Sequence, residues 1–160
     1  MLILKTHSAE ETRLLAAQLA NKMQAGDVIS LKGHLGSGKT TFSQGFAKEL
    51  GVKRAVKSPT YTIVKQYPLD DKDFIFNHID AYRLEDGGAD SVDLDSFMND
   101  TSLTIIEWAE FVLDYMPESY IEIELSQVDE SQRELKAQVI GKNKKYHAII
   151  SEWSQDWKGM

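Results

Sequence analysis

Cysteine is absent from the 160 residues, which excludes disulfides and Cys-ligated zinc. Histidine is scarce, and His7, His34, His78 and His147 form no metal-binding spacing of the H-E-x-x-H kind. No apolar run approaches membrane-spanning length, so no membrane association is expected. The opening "MLILKTHSAEE" has too short an apolar run, followed by acid, for a signal or transit peptide. A reducing cytoplasm is the expected compartment. Positive charge is also short, with 18 Lys and Arg against 25 Asp and Glu, a formal net charge of −7. Such a chain is poorly suited to grip nucleic acid unaided, because phosphate contacts need local Lys and Arg. Repeats, low-complexity tracts and linkers are missing as well.

What is present is an ordinary globular composition, 42% hydrophobic and 27% charged, in a length that suits one domain over 1–160. "LILK" reads as an opening strand. "SAEETRLLAAQLANKMQ" reads as a helix, with Ser8 and Glu11 at capping-box spacing, Leu15, Leu19 and Met23 as its buried stripe, and Gly26 as its stop. "DVISL" predicts a strand feeding a glycine loop, and "TTFSQGFAKEL" a helix ended by Gly51. Two β-rich runs, "YTIVKQY" and "FIFNHI", flank "PLDDKD" as a hairpin. "EDGGADSVDLDSFMND" suggests a loop with a short helix, and "LTIIEW" a buried strand. "YIEIEL" alternates and "ELKAQVI" is placed to pair with it; "KKYHAIISEWSQDW" closes as a helix. This order predicts an α/β fold: a P-loop NTPase domain with a central, mostly parallel sheet, flanking helices and an antiparallel extension.

The run "LKGHLGSGKTTFSQGF" carries the strongest chemical signal. Gly33-x-x-x-x-Gly38-Lys39-Thr40 is the P-loop pattern. At roughly 7% usage for glycine, chance places it in on the order of one in a few hundred chains of this length. The glycines allow backbone N–H groups to turn inward as an anion nest, and the following helix adds its positive end. Lys39 brings a cation to terminal phosphates, and Thr40 offers a hydroxyl to Mg²⁺. Gly33, Leu35, Gly36, Ser37, Gly38, Lys39, Thr40 and Thr41 are thus the expected nucleotide contacts. A P-loop also needs an acid at a buried strand end, for the metal or for water. Glu107, closing "LTIIE", and Asp80, closing "FNHID", both qualify. Guanine-reading N/T-K-x-D is missing, since "NKMQ" and "NKKY" lack its aspartate, which favours ATP. In "KSPTYTI", Pro59 sets a turn between Ser58 and Thr60. Their hydroxyls suit a switch-like loop offered to the γ-phosphate and metal.

Taken in order, "GHLGSGKTTFSQGF", "VKSPTYTIVKQY", "HIDAYRLED" and "IIEWAE" resemble the bacterial TsaE (YjeE) family, small P-loop ATPases required for threonylcarbamoyladenosine modification of tRNA. The resemblance spans about residues 8–140. His34 and Ser37 stand where the family commonly has Asp and Ala; both are free positions of the phosphate-binding motif, but no acid is available at 34. The resemblance implies that Thr40 and Glu107 hold Mg²⁺ and that Asp80 is the acid needed for hydrolysis. It implies that Trp108, Thr12 and Arg133 lie near the nucleotide. It also implies partners, TsaD and TsaB, that perform the transfer chemistry, so that tRNA is met only indirectly. Two other functions compete. A small-molecule kinase shares the P-loop but needs an acceptor pocket and an Arg-rich lid, whereas the four arginines (13, 54, 83, 133) are unclustered. A non-catalytic nucleotide sensor would keep the loop and could dispense with Asp80.

Overall fold

A computed structural model of the chain describes residues 1–34, 36–53, 56, 64–84 and 94–159, without the side chains of Arg83 and Asp95. Seven strands form one mixed sheet: β1 (Leu2–Thr6), β2 (Val28–Lys32), β3 (Val64–Pro68), β4 (Ile75–Asp80), β5 (Ser102–Glu107), β6 (Tyr120–Gln127) and β7 (Arg133–Ile140). Their order is β1-β7-β6-β2-β5-β4-β3. The four central strands, β6, β2, β5 and β4, run parallel. The antiparallel extension lies at both edges, where β3 pairs with β4, and β7 joins β6 to β1.

Helices α1 (Ala9–Ala20), α2 (Lys39–Leu50) and α4 (Lys144–Lys158) cover one face of the sheet, and the short α3 (Leu94–Phe97) belongs to the other. On the first face Leu15, Leu19, Phe42, Phe46 and Trp153 pack on Ile29, Leu31, Phe76, Ile105 and Ile123. On the second, Leu84, Leu94, Ala109 and Val112 pack on Val28, Ile79 and Ile106. Buried on both sides, β5 is apolar except for Ser102, Thr104 and Glu107, and all six of its residues are buried. β6 has helices on one side only, so Ile121, Ile123 and Leu125 face the core while the intervening glutamates do not.

The capping box forms in a shifted version. Ser8 Oγ accepts the Glu11 N–H at 3.0 Å, but the Glu11 carboxylate takes the N–H of His7, at 2.9 Å, rather than that of Ser8. The helix predicted to run to Gly26 stops at Ala20. There Asn21 returns its N–H to the carbonyls of Ala17 and Leu19. Gly26, at φ +93°, instead turns the chain into β2 and donates its N–H to Ser102 O at 2.8 Å. The hairpin of 61–79 is present from Val64, with Pro68 opposite Ile75; residues 61–63 lie outside the described residues. Among the described residues, no helix is long and apolar enough to cross a membrane.

Candidate nucleotide site

β2 sits between β5 and β6. The loop leaving its C-terminal end therefore lies over the carboxyl ends of parallel strands, where open α/β sheets bind ligands. Three glycines shape this loop, with φ of +152° at Gly33, +82° at Gly36 and +106° at Gly38. At Gly33 space matters as much as the angle, because a Cβ would come within 2.4 Å of Ser37 Oγ and 2.7 Å of Leu125 O. The Ser37 N–H closes the turn on His34 O at 3.0 Å, and Gly38 caps α2 in the left-handed region, its carbonyl accepting the Phe42 N–H. Lys39 and Thr40 therefore open a twelve-residue helix whose first amides face the loop.

Lys39 Nζ lies 3.4 Å from Glu107 Oε1 and 5.2 Å from the centroid of the Trp108 ring. Glu107 Oε2 is 2.7 Å from His78 Nε2. Asp80 is the register partner of Glu107 on the adjacent strand, and its Oδ1 accepts the Tyr82 N–H at 2.9 Å. The two predicted acids are thus neighbours with opposite electrostatics. Burial alone would raise the Glu107 carboxyl, but the hydrogen bond from His78 and the charge of Lys39 hold it below its ordinary range. Asp80 is pushed up, first by burial and then by the Glu107 charge, against the lowering effect of the Tyr82 amide.

Trp108 holds the one left-handed non-glycine backbone among the described residues, φ +62°. Its ring stacks on Phe111, 5.5 Å between centroids and 4° between planes, and Tyr82 meets it edge-on at 5.0 Å. A cavity of about 300 Å³ opens beside Lys39 between Gly33, His34, Trp108, Glu110 and Glu124. On the other side of the loop, Thr12, Gly38, Thr41 and Arg133 line a smaller cavity of about 70 Å³. Arg133 is also tied into its own hairpin through the carbonyls of Asp129 and Gln132. The Thr12 hydroxyl is engaged by Thr6 Oγ1 at 2.7 Å.

The structure therefore gathers Lys39, Glu107, Asp80 and Trp108 on one side of the loop, and Thr12, Thr41 and Arg133 on the other. Leu35, Ser58 and Thr60 lie outside the described residues. His78 carries no sequence signal of its own beyond its position two residues before Asp80, which puts both on one face of a strand. No sequence signal marks buried Asp27, which binds Lys145 Nζ and the Tyr146 hydroxyl, each at 2.9 Å. That contact spans 118 positions and ties the start of α4 to the base of β2.

An ionised, buried carboxylate suits a hard divalent cation. No group of three or more His, Asp or Glu side chains able to hold a metal occurs among the described residues. Glu107 and the Thr40 hydroxyl are the side chains that could hold such an ion.

Strand, glycine loop and helix, on a parallel core with an acid at the neighbouring strand end, define an α/β protein of the P-loop class. The family model for the threonylcarbamoyl adenosine biosynthesis protein TsaE matches residues 6–135. The tRNA threonylcarbamoyladenosine biosynthesis protein TsaE of Bacillus subtilis is 35% identical over 151 residues, 94% of this chain and 92% of that one. Its Aquifex aeolicus counterpart is 39% identical over 131 residues, 81% of this chain and 90% of the relative. The crystal structure of YdiB from Bacillus subtilis superposes with a TM-score of 0.81 at 31% identity, covering 97% of this chain and 95% of that one. The chain belongs to the TsaE family.

Proposed function

We propose that this protein binds and hydrolyses ATP in the service of threonylcarbamoyladenosine formation in tRNA, acting on a TsaB–TsaD complex in the cytoplasm. The observation that carries the reading is the pairing of the glycine loop with Lys39 and the ionised Glu107 at the ends of β2 and β5. Loop amides and the start of α2 cradle the phosphates, and Lys39 supplies a positive charge to the terminal ones. Thr40 and Glu107 would hold Mg²⁺, which would supply charge neutralisation at the phosphates. Asp80, beside Glu107, orients the attacking water. Trp108 walls the site, and Arg133, Thr12 and Thr41 take the remainder of the nucleotide. Ser58 and Thr60, which lie outside the described residues, are assigned to the γ-phosphate by their hydroxyl chemistry alone.

One observation favours a second reading. The cavity of about 300 Å³ beside Lys39 is a space that a small phosphoryl acceptor could enter. Product analysis separates the readings: phosphate release without an acceptor supports the ATPase, a phosphorylated acceptor supports a kinase, and binding without turnover supports a sensor. Glu107→Gln keeps the shape and removes the charge. Loss of Mg²⁺ dependence in that variant is expected, and normal dependence would make Glu107 a structural acid.

A further inference from the structure

His78 is fully buried, at 0% exposure, on the same face of β4 as Phe76 and Asp80. Its ring stacks on Phe76, 6.3 Å between centroids and 24° between planes. Phe76 packs on Phe46 at 5.7 Å, and Phe46 on Phe42 at 6.4 Å, one turn into the helix that Lys39 opens. An apolar ring would continue this column without penalty. Instead there is an imidazole whose Nδ1 is buried with no partner among the described residues. An unpaired buried nitrogen costs free energy, so packing alone does not account for a histidine here. Its other nitrogen makes the difference. A carboxylate only accepts, so Nε2 carries the hydrogen and donates to Glu107 Oε2 at 2.7 Å. The other oxygen, Oε1, faces Lys39.

We propose that His78 is a positioning residue whose Nε2–H fixes the Glu107 carboxylate, so that Oε1 is presented toward Lys39 and, on the function proposed above, toward Mg²⁺. A carboxylate held by one oxygen cannot swing about its terminal bond, and outer partners of this kind orient metal-binding groups generally. The aromatic column adds a mechanical link. α2 carries Lys39 at its start and Phe42 and Phe46 within it, and through Phe76 it braces the imidazole that holds the carboxylate facing Lys39. Lys39 and Glu107 are thereby referenced to one packed unit.

Two measurements test this. In the protein alone, ¹⁵N NMR of labelled histidine should find a slowly exchanging proton on His78 Nε2; an Nε2 without hydrogen overturns the proposal whatever the protein does with nucleotide. The second compares ATP binding with and without Mg²⁺ in the wild type, His78→Phe and His78→Gln. Phe keeps the ring and loses the donor, whereas the Gln amide keeps a donor at similar reach. His78→Phe should raise the Mg²⁺ concentration needed by about 10-fold or more, in the range usual for outer-shell partners. Its metal-free ATP affinity should stay close to that of the wild type, and His78→Gln should recover most of the Mg²⁺ response. Equal losses with and without Mg²⁺, or no recovery in a folded His78→Gln, would make His78 a scaffold residue. A wild type that binds no ATP overturns the ATPase reading instead, and the NMR result still decides the hydrogen bond.

Discussion

Asp80 and Glu107 stand side by side, yet their surroundings move them in opposite directions, and each direction carries a pH consequence. Asp80 is raised from 3.8, so burial disfavours its charged form. Its protonated form favours folding below the unfolded value, and that advantage is lost as pH rises through the folded value. At neutral pH the charge is a cost, and Asp80→Asn should melt at a higher temperature than the wild type. The gain should shrink as the pH is lowered into the acid range. The same variant should bind ATP nearly normally and hydrolyse it poorly, a trade of activity for stability. Equal losses in binding and turnover would make Asp80 a ground-state ligand. Glu107 is lowered from 4.5, so its contribution is present above that value and lost as pH falls through the folded one. Lys39→Ala removes one cause of that lowering. The variant should keep the fold, lose most ATP affinity, and show its acid unfolding transition at higher pH than the wild type. Wild-type nucleotide binding in the folded variant would remove the central role given to Lys39.

Elements position these residues through close approaches that have no slack. Gly45 lies where α2 crosses α1, and a Cβ there would come within 2.3 Å of Arg13 O. Gly45→Ala must push two helices apart and should destabilise by about 1–3 kcal/mol, the usual range for overpacking, read from chemical denaturation. Gly33→Ala acts at the loop instead. It should abolish nucleotide binding with a smaller loss of stability, because its clash is with Ser37 and the Leu125 carbonyl near the carboxyl end of β6. Legibility in the sequence follows the same division. The P-loop, its flanking strand and helix and both strand-end acids were readable, because turn geometry and phosphate chemistry constrain residue type locally. The alternation of Ile121, Ile123 and Leu125 gave β6, and Gly51, at φ +102°, ended α2 as expected. The end of α1 was not readable, because Asn21 stops the helix through backbone bonds that many residues can make, while Gly26 serves the next turn. His78 on Glu107 and Asp27 on Lys145 join residues 29 and 118 positions apart, and only the folded sheet brings them together.

At the scale of the whole molecule, α4 packs against α1, β1 and β7 and closes that side of the fold. Trp153 is fully buried and donates its indole N–H to Leu15 O at 2.9 Å, joining α4 to α1. Trp153→Ala should cost ~3–5 kcal/mol, as for other large aromatics deleted from cores, and calorimetry would show it as a lowered melting temperature. The site itself is left open to one side, through the cavity between Lys39, Trp108, Glu110 and Glu124. On the function proposed above, hydrolysis would depend on a partner to fix the water-positioning groups or to supply further charge. The most direct measurement is steady-state phosphate release from ATP across a titration of the TsaB–TsaD pair. Slow release by the protein alone, rising to a plateau as the pair saturates, is the predicted result. A fast rate with the protein alone, unchanged at saturating partner, would contradict it.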